Sequence, residues 1–500
     1  MRAVVAVAGA GTMGSGIAQT AAVAGHPVLL YDAAPGAADR AVAAIRDRVA
    51  APPIDVRPDD LMLTAVAGPA ELAAAGLVVE AVVEDLEVKR RLFAELEDHV
   101  SADCVLATNT SSLSPTAIAT GTRHPERIIG LHFFNPAPVM RLVEVVPGLE
   151  TAEDVIATAE ELVTAWGKTA VRSAATPGFI VNRIARPFYA EAWRLLEERA
   201  AGPETVDAVL TGAGGFRMGP FALMDLIGHD VNEAVTRSVW TAFGYDPRFA
   251  PSLAQRALVE AGRLGRKSGR GVYAYPQGRK SGARAQAGQA PRQAPPEVVA
   301  HGATGLDVLL RRSRVAVREG GDSIGGGVAL PSGVLMVRCD GRTATEVAAG
   351  LGVPVVVVDR ALDDATATAI AVAVSDGCPE RGRDEAIGLL QAAGTAVHVI
   401  DDVPGLVVAR TVAMLVNLAA DALHQGVASA ADIDTAMRLG TNYPLGPLAW
   451  ADRWGVQIVQ TILSALREGY GDPRYRPSPL LRRRALTGQT LTGEALAAAR

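Results

Sequence analysis

Residues 3–14 read Ala3-Val-Val-Ala-Val-Ala8-Gly9-Ala-Gly11-Thr-Met-Gly14, and this stretch decides the fold. The apolar run 3–8 has the length of a buried strand. Residues 15–24 predict a helix ending near Gly25, and 27–31 predict a second strand closing on Asp32. Strand, Gly-x-Gly-x-x-Gly, helix, strand and acid, with Asp32 placed 23 residues after Gly9, form the pattern of a dinucleotide-binding βαβ unit. Gly9 permits the tight turn, Gly11 lets the backbone approach a pyrophosphate, and Gly14 allows close helix–strand packing. The helix N-terminus offers N–H groups and a positive dipole end to phosphates. Asp32 is placed to accept a hydrogen bond from a ribose 2′-hydroxyl and would repel a 2′-phosphate, which favours NAD over NADP.

Working outward, 500 residues exceed what one core holds, so three or four domains are expected. A net charge of −6 argues against nucleic acid as a partner. Cys104, Cys339 and Cys378 form no C-x-x-C and no metal spacing, which points to structural thiols in a reducing, cytoplasmic setting with no metal. The apolar start is not read as a signal peptide, because the glycine fingerprint occupies the place of its hydrophobic region. No apolar run reaches the ~18 residues of a membrane span.

The α/β pattern continues with a strand over 77–83 ending at Glu84, a helix over 88–100, and a short strand over 105–107 that opens into Thr108-Asn-Thr-Ser-Ser-Leu113. Strand C-terminal ends are where a doubly wound sheet places its ligand crevice. Glu84 and Ser111 both fall there. Taken singly, Ser111 reads as a turn residue, Glu84 as a solvated strand end and Lys89 as a solvated helix residue. Next comes Gly130-Leu-His-Phe-Phe-Asn-Pro136, followed by Ala-Pro-Val-Met-Arg-Leu-Val-Glu-Val-Val146. Alternation over 141–146 puts Leu142, Glu144 and Val146 on one strand face. A histidine beside that carboxylate can serve as a general base whose tautomer the carboxylate fixes. By itself the pair His132 and Glu144 stays ambiguous.

At Thr176-Pro-Gly-Phe-Ile-Val-Asn-Arg183 the pattern turns helical. Thr176 suits an N-cap and Pro177 a first helical position, and the periodicity predicts a helix to about Arg199, kinked at Pro187. Asn182 lies on its apolar face, where an amide needs a partner.

Together, residues 9–32, Val79-Glu-Ala-Val-Val-Glu84, Asn109-Thr-Ser-Ser-Leu113, 130–146, 176–183 and 220–228 resemble the L-3-hydroxyacyl-CoA dehydrogenases over residues 1 to about 275. The resemblance implies a Rossmann-type doubly wound α/β domain followed by an all-α domain, and NAD as cofactor. It implies that His132 is the catalytic base and Glu144 its orienting carboxylate, while Ser111 and Asn182 hold the substrate's C3 oxygen. Gly9, Gly11, Thr12, Met13, Gly14, Asp32, Glu84, Lys89 and Asn109 become cofactor contacts. The substrate implied is an acyl-CoA thioester, short-chain or dicarboxylic. Arg183, Arg186 and Arg217 are candidates by position for a distal carboxylate. One departure is the segment 35–66, which looks shorter than the CoA-facing hairpin of the family. Its Arg40, Arg46, Arg48 and Arg57 read either as CoA phosphate contacts or as a solvated helix face.

Beyond 278 the chain changes character. Residues 278–296 are rich in Gly, Ala, Gln, Arg and Pro and read as a linker. Strand-like runs over 334–338, 354–359 and 396–400 predict a second, degenerate α/β unit without a glycine fingerprint. A repeat follows: Pro177-Gly178 recurs as Pro404-Gly405, Arg183 as Arg410, Asp207 as Asp434, Gly219-Pro220 as Gly446-Pro447, Asp225 as Asp452 and Gly228 as Gly455, each 227 positions on. Asp246-Pro-Arg248 recurs as Asp472-Pro-Arg474 at offset 226. The helical domain is therefore duplicated, but Asn182 corresponds to Ala409, so the second half reads as structural. The expected domains are 1–176 (dinucleotide-binding), 177–278 (helical), 279–300 (linker), 301–402 (degenerate Rossmann-like) and 403–500 (helical copy). In single-copy members of the family, helical domains pair across a dimer, so either a homodimer or a monomeric internal pseudo-dimer is expected.

Two other functions fit parts of this pattern. A dehydrogenase of a free hydroxy acid or sugar acid would suit the shortened CoA-facing segment. A non-catalytic NAD-binding scaffold would suit the degenerate second half, but the four residues His132, Glu144, Ser111 and Asn182 argue against it. Dehydrogenases with a catalytic lysine would lack the His-Phe-Phe-Asn-Pro segment.

Overall fold

The computed structural model describes residues 3–51, 56–276, 288–321 and 326–493. The fingerprint forms β1 (Val5–Ala8), α1 (Thr12–Val23) and β2 (Val28–Tyr31). The chain continues through α2 (Ala37–Val49), β3 (Leu63–Val66), β4 (Leu77–Glu80), α3 (Leu86–Glu97), β5 (Val105–Thr108), α4 (Pro115–Ala119), β6 (Ile128–Phe133), β7 (Leu142–Pro147), α5 (Glu153–Ala165) and β8 (Thr169–Arg172). These strands make one sheet in the order β3-β2-β1-β4-β5-β6-β7-β8, the doubly wound order with an added pair at one edge. Alternation along the central strands sends Val5 and Val7 into a core with helices α1, α2 and α5, and Ala6 into a second core with Phe93, Leu96 and Ile118. The expected strand over 77–83 ends at Glu80, so Glu84 sits on a loop.

The first helical copy comprises α6 (Val181–Ile184), α7 (Arg186–Glu197), α8 (Pro203–Gly212), α9 (Pro220–Ile227), α10 (His229–Ala242) and α11 (Leu253–Glu260). The single kinked helix expected over 177–199 is corrected to a short α6 and a separate α7. Gly178 and Phe179 both take positive φ, 74° and 48°, which breaks the helical path before Val181. Thr176 does not cap it; the Glu144 carboxylate does, accepting from Ile180 N–H at 3.0 Å and Val181 N–H at 2.9 Å.

The second sheet contains β9 (Glu297–His301), β10 (Ala316–Gly320), β11 (Gly327–Ala329), β12 (Leu335–Arg338), β13 (Val355–Val358), β14 (Ala369–Val374) and β15 (Ala396–Val399), in the order β10-β9-β11-β12-β13-β14-β15. Its helices are α12 (Asp307–Ser313), α13 (Ala344–Leu351) and α14 (Glu380–Ala392). Part of the expected linker lies outside the described residues. The rest is corrected: Gln289 N–H donates to Val397 O beside β15, and β9 already begins at Glu297. Strand β14 was not expected, because its Ala-rich run suits helix and strand equally. The helical copy then follows as α15 (Val408–His424), α16 (Ala430–Thr441), α17 (Pro447–Trp454), α18 (Val456–Tyr470) and α19 (Pro479–Thr487). Among the described residues, no helix is long and apolar enough to cross a membrane.

The offset of 227 reaches further back than the sequence repeat. It carries β7 onto β14, α5 onto α14 and β8 onto β15, residue for residue at their ends. The repeated acids are structural: Asp207 caps α9 through the N–H groups of Phe221 and Ala222, and Asp225 holds those of Val272 and Tyr273. Asp452 likewise holds Leu491 and Thr492.

Two compact units result, residues Met1–Arg183 with Gln425–Thr441, and Ile184–His424 with Asn442–Arg500. In the first unit, α16 of the second copy packs on β7 and β8. In the second, α8 of the first copy packs on β14, and α7 packs on α15, which is buried from Val408 to Ala422. Reciprocal contacts accompany this exchange. Arg183 donates to Gln425, and their counterparts at offset 227 are Arg410 and Glu198, also paired. Ala174 N–H donates to Val427 O, and Asp401 N–H donates to Ala200 O. Such reciprocity is the signature of an isologous interface, here formed within one chain.

Candidate active site

The glycine loop joins β1 to α1. Gly9 has φ +112°, and a Cβ there would fall 2.5 Å from Ala81 O; at Gly14 it would fall 1.8 Å from Gly9 O. Around Gly11 nothing lies within 4 Å of a built Cβ, so the loop keeps open space where a ligand would approach. The first turn of α1 carries no side-chain cap and no acidic residue, leaving its N–H groups suited to an anion. Asp32 accepts from Ala10 N–H at 2.7 Å and Ala34 N–H at 2.8 Å, which fixes the carboxylate at the end of β2 beside this loop. These features fit a dinucleotide.

Beyond β4 the loop 81–85 is held by a carboxylate–lysine cluster. Lys89, only 1% exposed, donates to Glu80 at 2.6 Å and lies 3.2 Å from Glu84. Glu80 also accepts from Thr108 Oγ1 and Val82 N–H. Glu80 was not anticipated, although a carboxylate inside the apolar run Leu77-Val-Val-Glu-Ala-Val-Val83 signals a buried partner. Lys89, expected as a cofactor contact, thus has its ammonium held between Glu80 and Glu84. Glu84 is the more open member, accepting from Thr110 Oγ1 at 2.6 Å, Ser112 Oγ at 2.8 Å and Ser111 N–H at 3.1 Å. Burial alone would raise its pKa, but Lys89 and these hydroxyl donors outweigh it and hold the Glu84 carboxyl below its ordinary value.

Asn109 Oδ1 accepts from Phe133 N–H at 2.9 Å, which ties the end of β5 to the end of β6. The Ser111 hydroxyl makes no hydrogen bond among the described residues, so it is available to a ligand.

His132 and Glu144 are cross-strand partners in the antiparallel pair β6–β7. The imidazole is 6% exposed and the carboxylate 0%. His132 Nδ1 lies 2.6 Å from Glu144 Oε2, while Glu144 Oε1 takes the two α6 N–H groups described above. One carboxylate thus fixes both the imidazole and the start of α6, the turn that carries Asn182. The His132 ring packs against Phe134 and Phe179 at centroid distances of 4.5 and 5.8 Å. Nearby, Lys168 Nζ donates to Ala137 O at 2.6 Å and Met140 O at 2.9 Å, pinning the loop 134–141 between the two strands.

In the second half, offset 227 places Asp359 at the position of His132 and Ala371 at that of Glu144. Asp359 is fully buried and accepts from the N–H groups of Val407, Val408 and Ala409. The capping duty survives there, and the imidazole and the Asn182 amide are gone.

The arginines of segment 35–66 are drawn into local structure. Arg46 donates to Pro58 O, Arg48 to Gln19 Oε1, and Arg57 pairs with Asp60. Of the distal-carboxylate candidates, Arg183 and Arg186 are buried, with Arg186 donating to Thr236 Oγ1, while Arg217 is exposed.

The families described as 3-hydroxyacyl-CoA dehydrogenase, NAD binding domain, and 3-hydroxyacyl-CoA dehydrogenase, C-terminal domain, match residues 4–176 and residues 178–275 and 405–495. A 3-hydroxybutyryl-CoA dehydrogenase reduced Rossmann-fold domain matches 336–404. A 3-hydroxyadipyl-CoA dehydrogenase of Escherichia coli is 48% identical over 96% of this chain and 97% of its own. A probable 3-hydroxybutyryl-CoA dehydrogenase of Bacillus subtilis is 40% identical over 54% of this chain and 96% of its own. The crystal structure of a 3-hydroxybutyryl-CoA dehydrogenase from Escherichia coli superposes with a TM-score of 0.89 at 45% identity, covering 98% of this chain and 99% of that one. With its nucleotide loop, His–Glu pair and both helical copies accounted for, the chain belongs to the 3-hydroxyacyl-CoA dehydrogenase family of NAD-dependent oxidoreductases.

Proposed function

We propose that this chain oxidises an L-3-hydroxyacyl-CoA to the 3-oxoacyl-CoA, with His132 as general base. The observation that carries the reading is the 2.6 Å contact between His132 Nδ1 and Glu144 Oε2. Glu144 Oε1 is already occupied by two backbone donors, so Oε2 acts as the acceptor and His132 donates through Nδ1. That tautomer leaves Nε2 with its lone pair and without a protein partner among the described residues. Nε2 takes the 3-hydroxyl proton, and Glu144 stabilises the imidazolium that forms. The Ser111 hydroxyl and the Asn182 amide hold the C3 oxygen. Bound at the loop 9–14, NAD supplies the hydride acceptor. Gly9, Gly11, Thr12, Met13, Gly14, Asp32, Glu84, Lys89 and Asn109 are the chain's groups for holding it.

The substrate reading is a short-chain or dicarboxylic acyl-CoA in a reducing, cytoplasmic setting, supported by the names of the full-length relatives and by three cysteines outside any disulfide. NADH oxidation should be followed with acetoacetyl-CoA, 3-oxoadipyl-CoA and free acetoacetate. Activity is expected with the thioesters and not with the free acid; no turnover of any thioester would overturn the proposal.

The oligomeric reading is a monomer, because the reciprocal contacts already use the helical faces that would pair between chains. Sedimentation at low micromolar concentration should give one species of the chain mass, 51.8 kDa, and a clean species of twice that mass would count against it.

A further inference from the structure

We infer that the segment Gln425–Thr441 of the second helical copy is a positioning element for the reaction at His132, acting through Asn182, with Gly440 set against Leu142, Val181 and Phe134. The inference rests on the roles proposed above for His132 and Asn182. This segment forms one compact unit with the first sheet. It grips the turn that carries Asn182 on both sides. Before Asn182, a Cβ built on Gly440 would lie 3.0 Å from Val181 Cγ2. After it, Arg183 Nη2 donates to Gln425 Oε1 at 2.6 Å. Upstream, Ala174 N–H donates to Val427 O at 2.7 Å, fixing the chain as it leaves β8.

The same glycine touches the elements that hold the His–Glu pair. Its built Cβ would fall 2.7 Å from Leu142 Cδ2, two positions before Glu144 on β7, and 3.6 Å from Phe134 Cε1, whose ring lies against His132. Val181, its third neighbour, donates its N–H to Glu144. A side chain at 440 therefore pushes on the α6 turn and on Phe134 at once. In the second unit the counterpart of Gly440 at offset 227 is Ala213, beside Gly212, which packs against Ala369 of β14; no such consequence follows there, since Ala371 and Ala409 stand where Glu144 and Asn182 would be. The second copy thus supports the first copy's chemistry.

The test is a double-mutant cycle in the full chain. Gly440→Val is expected to lower kcat on the thioester by about ten- to a hundredfold, the scale of a sub-ångström to 1 Å misplacement. NAD affinity should stay near wild type, while Tm should fall alike in both backgrounds, since a valine overpacks the contact with Leu142 and Val181. In an Asn182→Ala background the same substitution should cost clearly less kcat than in wild type, because the displaced amide is absent and only the push through Phe134 remains. Wild-type kcat in Gly440→Val, or an equal loss in both backgrounds, overturns the inference. Should Gly440→Val fail to fold, Gly440→Ala and Gln425→Ala run through the same cycle with the same outcomes. A wild-type chain inactive on every CoA thioester would instead remove the proposed function, so the two failures are distinguishable.

Discussion

Replacing His132 with alanine is expected to lower kcat by about 10²–10⁴-fold, the usual contribution of a positioned general base. Binding of NAD should be unaffected, because the glycine loop and Asp32 make their own contacts and none involves the imidazole. The fold should also hold, since Glu144, the hydrogen-bond partner of His132 among the described residues, keeps two backbone donors when the ring is removed. Glu144 behaves differently. Glu144→Ala removes the cap of α6 together with the orientation of His132, so stability and kcat fall together, whereas Glu144→Gln keeps acceptor oxygen for part of the set. Steady-state kinetics, NAD titration by fluorescence and thermal melts on the three variants separate these effects. Near wild-type kcat in His132→Ala would sink the assignment of the base.

The largest effect on stability is expected from Arg410→Ala. Arg410 is 0% exposed, and its guanidinium donates to Glu191 at 3.1 Å, to Glu198 at 3.2 Å and to Tyr475 Oη at 2.9 Å. Glu191 is itself fully buried and depends on Arg194 and Arg410 together; burial opposes its charge, but these cations hold its pKa below the ordinary value. Taking away one cation leaves that carboxylate under-compensated between the two helical copies, and breaking a buried pair this way costs about 3–5 kcal/mol. A clear drop in Tm and in the urea midpoint is expected. The counterpart at offset 227, Arg183, donates to the neutral Gln425 in place of a carboxylate. A melt unchanged by Arg410→Ala would show that the network contributes little.

Much of the site was legible in local pattern. The glycine fingerprint specifies β1, α1 and β2 because each glycine answers a steric demand within a few residues of itself. His132 and Glu144 were nominated by a strand alternation and a specific neighbouring segment. Three features were not legible. Glu80 was passed over for Glu84 because the end of β4 is set by its pairing with β5, and the apolar run continues past it. Local pattern points to Thr176 as the helix cap because capping rules look only a few residues along the chain, while the acceptor, Glu144, is 36 positions away from Ile180. Strand β14 was hidden by alanines, which fit either period.

The sequence by itself determined the nucleotide fold, the family resemblance, the catalytic candidates and the duplication of the helical domain, because periodicity, glycine sterics and a repeat register are all properties of residues close in the chain or spaced at a fixed offset. Only the tertiary structure decided that the two copies exchange helices, α16 onto the first sheet and α8 onto the second. It alone decided that Glu144 both caps α6 and pairs with His132, and that Asp359 caps its own helix start with no such partner at position 371. These outcomes depend on which buried donors find which acceptors across long stretches of chain, and a buried polar group takes the partner that packing brings to it.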